Sequence, residues 1–247
     1  MLTDTIDELR RCALEATDAS GYFPALYARV TDRVQTAVIE HRFGDAAAGA
    51  RIERFARRFA ARYTGAKAGT PPVAKCWQAS WDVAGDDGLL IVQHLLLGIN
   101  AHVNFDLGQV VVELVDDGES LEEIRPGFEA INTLLADTYP VVLHDLGRVS
   151  RWVGTAATWG GGNLFNFSLR AARDQSWRLA TRLAHLDDAE RSSELDLLDD
   201  LVSVLAYLIA RPGWPATWIV PLARRFEDHD AQLVSRTLLG PLHSDGA

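Results

Sequence analysis

Apolar residues recur along this chain at the spacing of amphipathic helices, and nowhere in a sustained alternation of two between turn signals. The segment 3–17, with Leu2 just ahead of it, places Ile6, Leu9 and Leu14 at helical intervals, with Thr3 or Thr5 as candidate caps. The segment 24–42 starts at Pro24 and sets Leu26, Val30, Val34 and Val38 on one stripe. A third helix is predicted over 45–64, capped by Asp45, carrying Ile52, Phe55, Phe59 and Tyr63 and ending at Gly65; residues 65–75 then read as a loop. A long apolar stretch from about Cys76 to Val115 is broken near Gly85–Gly88. Ser120 ahead of Leu-Glu-Glu opens a capped helix over 119–138 with Ile124, Phe128, Ile131 and Leu135. Residues 151–163 read as a flexible, aromatic-studded loop. Helices follow at about 164–186, 193–210 and 216–238, the last two separated by Arg-Pro-Gly-Trp-Pro at 211–215. The expected architecture is a single all-α domain, 1–247, packed around a central helix at about 88–115, with few or no strands.

The middle of that central helix breaks the pattern. His94, Asn100, His102, Asn104 and Asp106 interrupt an otherwise aliphatic run. A buried imidazole, amide or carboxylate costs several kcal/mol unless it is hydrogen-bonded, paired or metal-bound, so this stretch marks either a polar network or a site. On a regular helix His102 and Asp106 share a face, Gln109 and Glu113 extend it, and His94 flanks it. Gly98, between the two histidines, leaves room there for a ligand, a metal or a neighbouring helix.

Composition narrows the chemistry. The formal charge of −10 argues against nucleic acid or an anionic membrane as partner, and a small molecule is the expected one. Two cysteines give no disulfide framework. The opening residues lack the basic and apolar regions of a signal peptide, and the apolar run Leu89–Ile99 is about half of the ~20 residues a membrane span needs. A cytoplasmic protein is expected. No phosphate loop, dinucleotide fingerprint or nucleophile elbow occurs, so no nucleotide cofactor is expected.

Three functional readings of the central cluster stay open beside a purely structural one. His102 and Asp106, with His94, are candidate ligands of a divalent metal such as zinc or iron. Alternatively Asp106 orients His102 as a general acid or base, with Asn100 and Asn104 assisting. In the third, these side chains bind a polar ligand in an apolar pocket. The first two describe a small-molecule enzyme performing hydrolysis, elimination or cyclisation on a largely apolar substrate. The alternative is a non-catalytic helical ligand- or partner-binding protein that uses the cluster to specify its core.

The same residues carry a resemblance. Leu-Leu-Leu-Gly-Ile-Asn-Ala-His-Val-Asn-Phe-Asp-Leu (95–107) resembles the signature L-L-G-x-N-A-H-I-N-x-D-L of an uncharacterised bacterial family known only as a domain of unknown function. The likeness extends to Tyr27–Val34, Phe59–Tyr63, Phe128–Asn132 and Phe167–Trp177. It implies an all-helical fold and points to Asn100, His102, Asn104 and Asp106, and it implies no reaction.

Elsewhere, Trp81, Arg170, Arg173 and Trp177 are candidate substrate-binding residues, the arginines for a carboxylate or phosphate. Against this stand Arg170–Asp174 pairing on a wet face and tryptophans in the core. The glycines at 160–162, beside Trp152 and Trp159, suit a lid or a plain connection. His144, in Val-Val-Leu-His, is a candidate further ligand, whereas His185 and His229 read as surface.

Overall fold

The computed structural model describes residues 1–69, 73–156, 162–214 and 216–241, and it is all-helical. Among these residues the only extended pairing is one isolated antiparallel bridge between Ser150 and Glu227. The helices are α1 (Thr3–Glu15), α2 (Tyr22–Ile39), α3 (Ala46–Lys67), α4 (Lys75–Asp82), α5 (Ile91–Ile99), α6 (Leu107–Asp116), α7 (Leu121–Val149), α8 (Arg151–Ala156), α9 (Gly162–Leu183), α10 (Asp188–Ala210), α11 (Ala216–Arg224) and α12 (Ala231–Leu239). Between α5 and α6 the chain stays helical but widens into a π-helical segment, Asn100–Asp106.

Local chemistry explains most boundaries. Asp45 accepts from the Ala48 amide at the head of α3, and Ser120 and Glu123 form a reciprocal capping box at the head of α7. α3 runs on through Gly65 to Lys67 instead of stopping at the glycine. It ends where Gly69 takes φ +74° and donates to the Ala66 carbonyl, a left-handed finish that a side chain would strain. α7 likewise continues past Pro140 to Val149. The expected loop at 151–163 is in part helix, with α8 at its start and α9 beginning at Gly162; Trp159 and the lid reading of 157–161 lie outside the described residues. The helix expected over 216–238 is two, because the chain between them folds back on Val149–Arg151 and Asp230 caps a fresh start by accepting from the Gln232 and Leu233 amides.

The rod Ile91–Asp116 is the axis of the molecule. α2, α3, α4, α9 and α10 all pack on it. It is long and apolar enough by composition to cross a membrane, but 78% of its most apolar window is buried inside the protein, which is the environment of a core helix. The main core cluster runs from Leu2, Ile6 and Leu9 through Phe55 and Phe59 to Val110, Val111 and Leu114, and a small second cluster joins Leu89, Leu97 and Ala206.

Candidate functional site

The π segment is where the polar residues sit. An α-helix closes each turn on the fourth residue, whereas a π turn closes on the fifth and satisfies its carbonyls less well; such turns are rare and recur at functional sites. Here neighbouring side chains take up the slack. Ser176 Oγ on α9 donates to the Val103 carbonyl at 2.6 Å, and Gln109 Nε2 donates to the Phe105 carbonyl at 2.9 Å. Asn104 Nδ2 donates to Asn100 Oδ1 at 2.9 Å, and Asn100 Nδ2 donates to the Val202 carbonyl of α10 at 3.0 Å. The two asparagines therefore tie the widened turn to itself and to α10.

His102 and Asp106 face the other way, into the aromatic core. Asp106 Oδ2 accepts from Trp77 Nε1 at 3.0 Å and lies 3.2 Å from His102 Nδ1. Its second oxygen is 3.7 Å from Arg62 Nε, and Arg62 also bonds Gln109 and Glu113. The stripe expected from Asp106 through Gln109 to Glu113 thus exists, and an arginine from α3 lies along it. His102 is 3% exposed. Its ring stacks on Phe59 at 3.5 Å and 10°, with the Tyr27 ring at 4.5 Å and Phe23 at 5.4 Å. Burial pushes its pKa below the ordinary histidine value, and the Arg62 and Arg173 charges push the same way, against the opposing pull of Asp106. The ring is therefore neutral at physiological pH. With Nδ1 presenting its hydrogen to the carboxylate, the lone pair lies on Nε2. That nitrogen is fully buried and has no hydrogen-bond partner among the described residues, and neither has the Tyr27 hydroxyl.

Both residues belong to the wall of an apolar cavity of about 150 Å³. α2 contributes Phe23, Leu26, Val30 and Val34, and the rod contributes Val92, Leu95, Leu96 and Ile99. α7 contributes Leu135, Val142 and Leu146, and α9 contributes Leu169 and Arg173. The other polar groups in the wall are largely spent: the Thr31 and Thr138 hydroxyls donate to carbonyls of their own helices.

Arg173 is the exception. It is 3% exposed, and its hydrogen-bond acceptors among the described residues are neutral, the Asn132 amide oxygen and the Phe128 carbonyl at 3.1 Å, with the Phe128 ring at 4.4 Å; the Asp174 carboxylate acts on it through its charge. Desolvation lowers its pKa to about 10.

The remaining candidates fall elsewhere. His94 does not join His102. Phe23 fills the gap opposite Gly98, where a Cβ would stand 2.5 Å from the Phe23 ring, so the space left by the glycine belongs to a neighbouring helix. His94 meets Tyr22 edge-on at 5.9 Å and lies with Trp81 in a separate hollow of about 10 Å³, with Phe23 between that hollow and the main cavity. Burial lowers the His94 pKa to about 4. Among the described residues no three His, Cys, Asp or Glu side chains gather as they would around a metal ion. Trp81 stacks on Trp77 at 5.5 Å, and Trp177 packs on Phe128 at 4.9 Å; neither lines the cavity. Arg170 is exposed. His144 is exposed too, because α7 turns it outward between the buried Val142 and Leu146.

The residues missed in the sequence are Tyr27, Phe59, Arg62, Trp77 and Asn132. All but Trp77 lie in the segments that carried the resemblance, and folding collects those segments around His102 and Arg173. A family of unknown function, DUF5995, matches residues 2–212. The chain belongs to that family. No curated protein and no solved structure shows significant similarity to it. The match covers every group just described around the cavity, from α2 to α9, and ends just beyond α10.

Proposed function

We propose that the protein is a small-molecule enzyme in which His102 Nε2 is a general base, oriented by Asp106 and acting inside the apolar cavity. One observation carries the reading: a fully buried imidazole nitrogen with no partner among the described residues, in a cavity wall, while the other ring nitrogen is held by a carboxylate. Leaving such a group unsatisfied costs about 1–3 kcal/mol, which core packing alone does not require. A neutral imidazole with its lone pair in a water-poor space takes a proton from a weakly acidic C–H or O–H of a bound substrate. The electron pair released then expels a leaving group or closes a ring, giving elimination or cyclisation. Hydrolysis also needs a positioned water, and the cavity offers few uncommitted polar groups to hold one.

In this reading Asp106 fixes the tautomer, while Trp77 and Arg62 hold Asp106. Asn100 and Asn104 are positioning residues that maintain the widened turn. Their bonds to each other and to Val202 also favour a second reading, a non-catalytic ligand-binding domain whose polar cluster specifies the core.

The probe 5-nitrobenzisoxazole separates the two. A base that removes its ring C–H proton sends that electron pair into a C≡N bond and breaks the N–O bond, releasing a coloured phenolate. The expected result is saturable turnover above the buffer rate, falling only in the acid range as His102 protonates, and lost in His102→Gln. A rate unchanged in His102→Gln favours the non-catalytic reading.

A further inference from the structure

We propose that the molecule bound in this cavity is an amphipathic carboxylate, its apolar body among the side chains of α2, α5 and α7 and its carboxylate on Arg173. The inference rests on reading the cavity as a ligand site and adds the class of ligand. Three features of the wall carry it. First, Arg173 places a guanidinium in a wall that is otherwise almost wholly hydrocarbon, and among the described residues its acceptors are neutral. Removing an ion from water is unfavourable by several kcal/mol, and neutral acceptors offset only part of that. Asp174, the next residue along α9, supplies charge without a hydrogen bond, and a bound anion adds a countercharge that also bonds the guanidinium.

Second, Asn132 and the Phe128 carbonyl fix the planar fork, which suits bidentate capture of a carboxylate. Third, the Tyr27 hydroxyl is a buried donor without a partner among the described residues, in the same wall. Its pKa is held well above the ordinary value by burial, so it stays protonated and able to donate to an anion. The charge of Arg173 reaches both the Tyr27 phenol and the His102 imidazole, so the three groups belong to one electrostatic neighbourhood.

The size of the space sets the body. A volume of about 150 Å³ is on the scale of cavities that take a benzene-sized guest. A one-ring aromatic acid or a short branched aliphatic acid fits that description. A phosphate fits less well, since its extra oxygens and second charge would meet aliphatic wall.

The geometry also joins the two proposals. An acid anchored at Arg173 sets the rest of the molecule between the α2 aromatics and Nε2 of His102, with the proton to be abstracted on the carbon body and not on the anchored carboxylate.

Calorimetric titration with 3-phenylpropionate and with its uncharged isostere 3-phenylpropanol tests the assignment. In the native protein the acid is expected to bind at least tenfold more tightly than the alcohol. In Arg173→Met, of similar length and without charge, the acid should fall to the affinity of the alcohol while the alcohol is unchanged. Arg173→Lys, which keeps the charge and loses the fork, should fall between. If Arg173→Met does not fold, the acid-to-alcohol ratio in the native protein and in Arg173→Lys decides alone. Equal affinities in the native protein, no binding of the acid, or an acid preference that survives Arg173→Met overturns the assignment. His102→Gln keeps the two proposals apart. Acid binding that persists there, without proton abstraction from 5-nitrobenzisoxazole by the native protein, refutes the base and leaves the carboxylate site standing. Turnover without acid preference does the reverse.

Discussion

Removing one member of the His102–Asp106 pair should cost far more than removing the other. Asp106 Oδ2 serves two buried donors, Trp77 Nε1 and His102 Nδ1, and its second oxygen faces Arg62. Asp106→Ala strands both donors in the core, and each stranded donor costs about 1–3 kcal/mol. A loss of about 4 kcal/mol is expected, before any effect on Arg62. His102→Phe has offsetting consequences. It gives up one hydrogen bond to a carboxylate, worth about 1.5–3 kcal/mol, and removes the penalty of about 1–3 kcal/mol for the orphaned Nε2. The new ring keeps the stack on Phe59, and the added volume has a cavity to occupy. The net change should stay within about 1 kcal/mol. In a chain of this length 1 kcal/mol moves the melting temperature by about 2–4 °C. Asp106→Ala should therefore melt about 8–16 °C lower, and His102→Phe within about 4 °C of the native protein. Thermal melts monitored by circular dichroism, with urea titrations to check that the m-value is preserved, read both numbers. If His102→Phe loses as much as Asp106→Ala, the imidazole is an integral support of the core, and the argument from its idle nitrogen fails.

Three further outcomes follow from the same geometry. Folded His94 holds its proton less tightly than the unfolded chain, with a pKa of about 4 against an ordinary 6.5, so the unfolded state takes up more protons as pH falls through that window. Stability should therefore drop between pH 6.5 and 4 by up to about 3 kcal/mol from this residue, with buried His102 adding in the same direction; urea titrations of the native protein and His94→Phe at pH 7 and pH 4.5 should converge on a flatter profile for the variant. Gly98→Ala pushes a methyl to within 2.5 Å of the Phe23 ring, and the displaced ring disturbs its contacts with Tyr63, Trp77 and His102; a loss of about 1–3 kcal/mol by thermal melt is expected. Val142→Ile adds one methylene to the cavity wall and should raise stability by about 0.5–1 kcal/mol while weakening acid binding, as seen by melting and calorimetry on the same preparation.

The architecture was legible because periodicity reports it directly. Val34 on α2 and Ile52, Phe55 and Phe59 on α3 are buried on the stripes their spacing describes, with Leu26 and Val30 half-buried, and Ser120 caps where its box places it. Boundaries went astray where local signals were outvoted. Gly65 and Pro140 look like stops, yet α3 and α7 run through them because tertiary packing on both sides holds the backbone helical. The location of the buried polar cluster was legible too, since polar groups inside an aliphatic run are expensive wherever they occur. Its composition was not. A reading at uniform winding puts His94 beside His102, whereas the structure inserts the Phe23 ring between them. Tyr27 and Phe59 look like ordinary stripe residues on their own helices, and only the packing of α2 and α3 on the rod turns them toward one imidazole. Arg170 and Arg173 read alike as candidates for binding an anion, and one helical face separates the solvated Arg170 from the buried Arg173.

The widened turn at Asn100–Asp106 has a consequence for the chain as a count of residues. A loop closed on the fifth residue carries one more amino acid than its axial length requires, and that surplus rotates everything downstream by about 100°. Excising a single residue there, Val103 for instance, would let the rod wind uniformly. Gln109 and Glu113 would then swing off Arg62, or Asn100 would swing off Val202, because both ends cannot stay in phase at once. A one-codon deletion would spare every named side chain of the cluster and still dismantle it, so a descendant could lose this arrangement through arithmetic alone.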